Sequence, residues 1–369
     1  MSEQITYSDA GVDTKAGDLA VELMKDAVRA TQGPEVIGGV GGFAGLVDAT
    51  MLRDMRRPLL ATSTDGVGTK VAIAQALGIH HTIGYDLVGM VVDDIVVVGA
   101  RPLFMTDYIA CGKVVPERIA SIVHGIAQAC QQAGVALVGG ETAEHPGLLD
   151  EDSYDVAGAC TGVVEADAVL GPDRIREGDV LIALASSGLH ANGYSLVRRV
   201  LDHAGWQLDR DVPELGRTLG AELLEPTRVY AADCLALAED PASQVHAFTH
   251  VTGGGLAANL ARVLPAGTVA DVHRDSWTVP PVFDLVRRLG SVPWSDLEST
   301  LNLGVGMVAV VGADGADHTL ARATELGLAP WVLGEVSGRD AGAEPQDLVT
   351  GTKGVDGGAV RLVSDYRLS

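Results

Sequence analysis

The sequence predicts an α/β protein of two domains. Three observations carry that class. Apolar helical patterns alternate with short β-rich runs along the chain. Its 369 residues, 47% of them hydrophobic, exceed what one core usually holds. A polar stretch with Gly-Pro and Gly-Asp turn signals, Glu165–Asp179, interrupts the alternation, and it sets a boundary between residues 1–168 and 169–369.

Taken in order, Lys15–Thr31 places Leu19, Ala20, Leu23, Met24, Ala27 and Val28 at three-and-four spacing, an amphipathic helix that Gly33-Pro34 stops. Strands are expected at Pro58–Thr62, Leu103–Ile109, Val135–Val138 and Asp155–Val164, with helical patterns at Val71–Leu77, Tyr85–Val98 and Pro116–Ala133 between them. The second half reads as strands at Val180–Ala185, Val305–Val311 and Trp331–Val336. Its helices are expected at Gly193–His203, Thr227–Leu237, Leu256–Leu264, Pro281–Leu289 and Ala316–Leu326. Neighbouring extended runs leave room for antiparallel pairs. The final 30 residues are polar and Gly-rich, so a weakly ordered end is expected.

Composition narrows the function classes. With 49 acidic residues against 26 basic ones, a formal charge of −23 argues against a nucleic-acid surface or a polybasic membrane patch. It leaves a phosphate ligand open, because backbone N–H groups, a local cation and Mg²⁺ can hold one whatever the global sign. Glycine, at 46 residues, is well above its usual share of roughly 7%. Cys111, Cys130, Cys160 and Cys234 form no CxxC pair and read as reduced packing residues. Leu87–Ala100 is broken by Asp93 and Asp94 and falls short of the ~20 residues of a spanning helix. The N-terminus has no basic or apolar leader pattern, so the cytoplasm is the expected compartment.

Several loops carry candidate chemistry. Thr62-Ser-Thr-Asp-Gly-Val-Gly-Thr-Lys70 is a strand, turn and helix in which Asp65 can meet Mg²⁺, Gly66 and Gly68 admit a phosphate, and Lys70 adds positive potential. It can equally be an ordinary glycine turn with a solvated lysine. Asp86, Asp93 and Asp94 interrupt an apolar helix, where carboxylates are costly unless paired or bound to a cation. Ile37-Gly-Gly-Val-Gly-Gly-Phe-Ala-Gly45 can wrap a polyphosphate in amides, although the preceding strand that a dinucleotide fingerprint requires is missing. Gly139-Gly-Glu-Thr-Ala-Glu144 ends a strand and offers Glu141 as a ligand or as a turn cap. Ser186-Ser-Gly-Leu-His-Ala-Asn-Gly193 and Thr249-His-Val-Thr-Gly-Gly-Gly255 each open a helix in the second half.

These motifs, in this order, closely resemble the aminoimidazole ribonucleotide synthetase family, also called the phosphoribosylformylglycinamidine cyclo-ligases. Tyr7-x-Asp-Ala-Gly-Val-Asp13, Tyr154-Asp-Val-Ala-Gly158, Glu225-Pro-Thr-Arg228 and Asn302-Leu-Gly-Val-Gly-Met307 extend the resemblance over nearly the whole chain. It implies an ATP-dependent ring closure in purine synthesis: formylglycinamidine ribonucleotide and ATP give 5-aminoimidazole ribonucleotide, ADP and phosphate through a phosphorylated amide, an iminophosphate. By the same resemblance Asp65 and Asp94, then Glu141, hold Mg²⁺. Gly39, Gly41, Gly42, Gly66, Gly68, Thr69 and Lys70 hold ATP. Ser187, His190 and Asn192, with Thr252, Gly253 and Gly254, face the substrate. His190, Lys70 and Glu141 carry the catalysis, with His190 taking the proton released on closure. The implied fold is an N-terminal mixed sheet that forms a barrel with its twin across a homodimer, followed by a second α/β domain contributing substrate loops.

Three departures bear on those assignments. Asp93 stands where the family often has Asn, leaving open which of Asp93 and Asp94 holds metal. Asp296–Asn302 lacks the Arg and Phe expected before the Asn-x-Gly-x-Gly-Met segment. His250 precedes the Thr-Gly loop where sister enzymes such as selenophosphate synthetase carry an acid, which favours the cyclo-ligase over that relative and over thiamine-phosphate kinase. A non-catalytic nucleotide-binding protein that kept the loops is the other reading.

Overall fold

A computed structural model describes Gly11 and residues 13–39, 41–338, 348–351, 354 and 357–368. Tyr7, Asp9, Ala10 and Val12 of the first motif, and Val40 of the glycine loop, lie outside the described residues. The chain forms two compact units, one running to Ile95 and including Arg101–Ala166, the other comprising Val96–Ala100 and the chain from Asp167.

The first unit contains α1 (Thr14–Arg29), a small hairpin of β1 (Val36–Ile37) and β2 (Leu46–Val47), β3 (Pro58–Gly66), α2 (Val71–Leu77), α3 (Thr82–Val96), β4 (Arg101–Cys111), α4 (Pro116–Ala133), β5 (Ala136–Glu144) and β6 (Tyr154–Glu165). Asp13 caps α1, its side chain accepting from the amides of Lys15 and Ala16. Pro116 opens α4 and Gly134, in the left-handed region, closes it. Four strands form a mixed sheet in the order β3, β6, β4, β5, with β4 and β5 parallel and the other pairs antiparallel.

One sheet face packs on helices, burying Met105, Ile109, Val156 and Cys160 with Leu87 and Val91 of α3 and Ile122 and Ile126 of α4. Helices α3 and α4 meet backbone to backbone, since a Cβ on Gly84 would lie 2.0 Å from the Ile126 amide nitrogen. The other face carries Leu60, 65% exposed, and Tyr108, 41% exposed, among threonines and alanines.

The second unit runs through β7 (Val180–Ala185), α5 (Tyr194–Ala204), the hairpin β8 (Asp211–Val212) and β9 (Arg217–Thr218), α6 (Leu219–Leu223), α7 (Ala231–Ala238), β10 (Val245–His250), α8 (Gly255–Val263), β11 (Val269–His273) and β12 (Thr278–Val279). It continues with α9 (Pro281–Gly290), α10 (Trp294–Glu298), β13 (Val305–Val311), α11 (Ala316–Glu325), β14 (Pro330–Gly338), β15 (Leu348–Thr350), β16 (Ala359–Val363) and β17 (Arg367–Leu368). Seven strands form one sheet in the order β10, β13, β7, β14, β11, β16, β15, in which only β11 and β16 run parallel. Leu181, Ala183, Val308 and Val310 from the sheet and Leu260 and Ala261 from α8 fill its core.

The expectation of a weakly ordered C-terminal end fails over residues 348–351 and 357–368, which carry β15, β16 and β17, whereas residues 340–347, 352, 353, 355, 356 and 369 lie outside the described residues. β16 lies inside the seven-stranded sheet with Val360 fully buried, because Ala-Val-Arg-Leu-Val supplies a short apolar run within polar surroundings. Among the described residues no helix is long and apolar enough to cross a membrane. All four cysteines are free and buried, and burial pushes the thiols of Cys111 and Cys160 up to about 11 and about 12.

Candidate active site

In the first unit Asp65 lies at the carboxyl end of β3 and Glu141 in the carboxyl half of β5, the usual end for ligands on α/β sheets. Register puts Asp65 opposite Gly158, Gly158 opposite Asp107, and Asp107 opposite Gly140. Residues directly opposite share a face, so two carboxylates stand in one row, two strand spacings or roughly 10 Å apart. Both glycines leave room for side chains from β4. A Cβ on Gly158 would meet Met105 Cε at 2.7 Å, and one on Gly140 would lie 1.9 Å from Asp107 Oδ1. Asp65 Oδ1 accepts from the Gly66 amide at 2.7 Å.

Asp107 was not singled out from the sequence. Burial raises its carboxyl from the ordinary aspartate range to about 7. A signal was present: Met105, Asp107 and Ile109 alternate onto one face of β4, so an acid interrupts an apolar stripe.

Lys70, assigned to ATP phosphates and to catalysis, is fully buried, and its Nζ lies 2.7 Å from Asp86 Oδ1, which is also fully buried. The pair offsets the cost of a carboxylate at Asp86 in an apolar helix, and it ties the segment carrying Asp65 and Thr69 to α3. Gly68 and Thr69, at the surface, begin the short turn of 3₁₀ helix that leads into α2.

On α3, Asp93 is buried and Asp94 exposed. Leu87 packs near the Gly158 row and Ile95 near Gly162, four residues along β6. Asp94 therefore stands roughly 13 Å along the sheet from the row that holds Asp65. Glu141 is exposed and sits opposite Tyr108, so it projects from the other sheet face than Asp65 and Asp107. Among the described residues, no three His, Cys, Asp or Glu side chains come together to hold a metal. Gly39, Gly41 and Gly42 are open, with room beside each, and they rim a cavity of about 270 Å³ into which Asp107 faces. Nearby, Glu144 clamps the chain, accepting from the amides of Asp13 at 2.7 Å and Val114 at 2.6 Å.

In the second unit, the loops after β7 and β10 meet at the end of the sheet where β13 begins. A Cβ on Gly253 would lie 3.3 Å from Asn192 Oδ1, which puts those two candidate residues side by side. Gly254 and Gly255 both have positive φ, and Asn259 Nδ2 donates to the carbonyls of Thr252 at 3.2 Å and Gly255 at 2.8 Å, fixing the turn. Thr252 is buried, Gly253 exposed.

His190 is 2% exposed, with positive φ, and its Nε2 accepts from the Ser187 amide at 3.2 Å while its ring packs on Tyr230. The Ser187 hydroxyl donates to the Pro226 carbonyl at 2.7 Å and accepts from the Arg228 amide at 3.0 Å, so the Glu225–Arg228 motif latches this loop. Asn302, also missed, braces it from the other side. Its Oδ1 accepts from Ser186 Oγ at 3.1 Å and the Gly304 amide at 2.8 Å, and its Nδ2 donates to the Gly188 carbonyl at 2.9 Å.

Two family models match the chain: AIR synthase related protein, N-terminal domain, over residues 47–164, and AIR synthase related protein, C-terminal domain, over residues 176–344. A phosphoribosylformylglycinamidine cyclo-ligase of Desulfitobacterium hafniense is 48% identical over 337 residues, covering 91% of this chain and 98% of that protein. One from Geobacillus sp. is 48% identical over 331 residues, covering 89% and 95%. Among solved structures, thiamine-monophosphate kinase from Stenotrophomonas maltophilia shares the fold at 20% identity with a TM-score of 0.64, covering 92% of this chain and 95% of that one. The E. coli hydrogenase maturation protein HypE shares it at 19% identity and 0.63, covering 96% and 94%. The kinase likeness is one of fold, whereas the cyclo-ligase likeness is one of sequence along nearly the full chain. The chain belongs to the phosphoribosylformylglycinamidine cyclo-ligase family.

Proposed function

We propose that the chain closes the imidazole ring of formylglycinamidine ribonucleotide, using ATP, to give 5-aminoimidazole ribonucleotide, ADP and phosphate. The observation that carries this reading is identity of 48% to a cyclo-ligase across 98% of that protein's length, with the quoted loops grouped at strand ends in both units. A formamide oxygen is a poor leaving group. Transfer of the γ-phosphoryl onto it makes an iminophosphate, the ribose-bearing amidine nitrogen attacks that carbon, and phosphate departs with the former formyl oxygen while the nitrogen loses a proton.

Asp65 and Asp94 would hold Mg²⁺. Such sites take one or two carboxylates and complete the shell with phosphates and water, which suits a chain without an all-protein cluster among the described residues. When bound, the ion offsets charge on the transferring phosphoryl oxygens. Because the two carboxylates stand at different levels, they suit an extended Mg²⁺-polyphosphate better than one bare ion, and Glu141, on the other face, is left out of that set. The 38–45 glycines, Gly66, Gly68 and Thr69 offer backbone to the phosphates. Lys70 acts as a positioning residue through Asp86.

For the substrate we assign Asn192 and the Gly253–Gly254 backbone as contacts, with Ser187 and His190 positioning the loop that carries Asn192. The open face of the first sheet supports a homodimer in which a second copy covers Leu60 and Tyr108 and closes a barrel. Light scattering should give twice the 38.1 kDa chain mass, and Leu60→Arg with Tyr108→Glu should halve it; an active monomer rejects the barrel. Four buried free thiols fit a reducing, cytoplasmic setting.

The function is tested with purified protein, ATP, Mg²⁺ and formylglycinamidine ribonucleotide, assaying the aminoimidazole product. Equal yields of product and ADP support it. ATP binding without product supports the non-catalytic reading.

A further inference from the structure

The two loops assigned to substrate in the second unit, 186–193 and 252–255, share one support, the stretch from Glu298 to Leu303. A Cβ on Gly255 would overlap the Glu298 carbonyl, and one on Gly193 would overlap Leu301 Cδ2. Asn302 Nδ2 donates to the Gly188 carbonyl at 2.9 Å. At Gly255 the contact is backbone against backbone, so a shift of Glu298 reaches the loop with no side chain to absorb it.

Locally this stretch has little stiffness of its own. The helix that leads into it, α10, has five residues and follows Pro293 without a side-chain cap, well short of a helix that is stable alone. Its hold comes from the end of the chain. Glu298 Oε1 accepts from Tyr366 Oη at 2.9 Å and from Arg274 Nε at 2.7 Å, and Arg274 Nη1 donates in turn to the Leu362 carbonyl of β16 at 2.8 Å. Trp294, one turn before Glu298, packs its ring on Tyr366 with centroids 4.6 Å apart. Tyr366 also meets Trp277 edge-on at 5.5 Å, and Trp277 Nε1 donates to the Leu303 carbonyl at 2.9 Å. One side chain therefore reaches both ends of the support. Burial, with the Glu298 carboxylate beside it, pushes the Tyr366 phenol above the ordinary tyrosine range, so its hydroxyl stays a donor.

We propose that Tyr366 is a positioning residue for the substrate loops, acting through Glu298. The proposal rests on the substrate contacts assigned above to Asn192 and the Gly253–Gly254 backbone. Tyr366 lies beyond residue 344, where the match to the C-terminal family model ends, while the loops it supports lie inside that match. On this account it acts at a distance from the reacting atoms, by keeping the support in one place when substrate arrives.

The test separates support of the loops from support of the fold. Tyr366→Phe keeps both ring contacts and removes only the hydroxyl, and Glu298→Ala removes its acceptor. Calorimetry gives the affinity for formylglycinamidine ribonucleotide in the full chain, the two single variants and the double variant, and the affinity for ATP with Mg²⁺ in each. Tyr366→Phe should weaken substrate binding by roughly three- to thirtyfold, the usual reach of a residue acting through another, with ATP binding nearly unchanged. The double variant should bind substrate no more weakly than Glu298→Ala, because the hydroxyl works only through that carboxylate. If Glu298→Ala does not fold, Glu298→Met, which fills the same space, takes its place. Unchanged substrate affinity in Tyr366→Phe, equal losses for ATP and substrate, or losses that add in the double variant overturn the proposal. A full chain that binds the substrate without cyclising it overturns the assigned reaction and leaves this comparison intact; one that binds no substrate overturns both.

Discussion

Replacing Lys70 by methionine separates two roles that the sequence alone leaves open. A lysine that holds ATP phosphate is dispensable for folding, whereas Lys70 and Asp86 are both fully buried with Nζ 2.7 Å from Oδ1. Lys70→Met leaves the Asp86 carboxylate on α3 beside Ile83, Leu87 and Met90, all buried. Breaking such a pair from one side costs about 3–5 kcal/mol. At about 2–4 °C per kcal/mol for a domain of this size, the melting temperature should fall by roughly 6–20 °C. The double variant Lys70→Met with Asp86→Leu removes both charges and should recover most of that loss, since well-packed apolar replacements of buried pairs are often neutral. Thermal unfolding of the two single variants and the double variant closes the cycle. A Lys70→Met protein that melts like the parent but binds ATP at least tenfold more weakly would refute the buried-pair argument and return Lys70 to the phosphates.

Asp65→Asn and Asp94→Asn should each lower turnover by orders of magnitude with the melting temperature nearly unchanged, while Asp93→Asn should cost activity little; steady-state kinetics across a Mg²⁺ titration reads all three. Asn302→Leu leaves the Gly188 carbonyl and the Gly304 amide without their partner, at about 1–3 kcal/mol for each. It should raise substrate KM more than nucleotide Kd, and equal effects on both would contradict its role in bracing the substrate loop. Asp107 gives a pH signature. Its folded carboxyl titrates near 7 against an ordinary 3.8, so the folded state holds the proton more tightly and stability falls as pH rises through that interval. Urea unfolding should show Asp107→Asn gaining on the parent from pH 4 to 7 and holding a constant lead above; a gap independent of pH rules out the desolvated carboxyl.

Much of the fold was legible where one force dominates. Pro116–Ala133 runs from an N-terminal proline to a C-terminal glycine, and the structure has the helix between those residues. Val180–Ala185 and Val305–Val311 are apolar runs bounded by turns, and both are strands over those residues. By contrast β10 and β11, Val-His-Ala-Phe-Thr-His and Val-Ala-Asp-Val-His, mix polar residues into short stretches and were not read as strands. What decides them is a place in a sheet whose partners lie far along the chain, as β16 shows by pairing with β11.

The candidate site divides along the same line. Its loops were legible because glycine runs and strand-end acids are local patterns. Side-chain direction was not. Nothing local says that Lys70 turns inward to an acid 16 residues away, that Glu141 and Asp107 occupy opposite faces, or that the Ser187 hydroxyl is held by Pro226 and Arg228. Each depends on pairing between distant segments.

The most direct test of the central claim is a single turnover on formylglycinamidine ribonucleotide carrying ¹⁸O in its formyl group, with ATP and Mg²⁺, followed by mass analysis of the released phosphate. Activation of the formamide oxygen by phosphorylation predicts one 5-aminoimidazole ribonucleotide and one ADP per turnover, with the label wholly in phosphate. Cyclised product with the label in water would contradict the phosphorylated intermediate, and ATP consumption without cyclised product would contradict the assigned reaction itself.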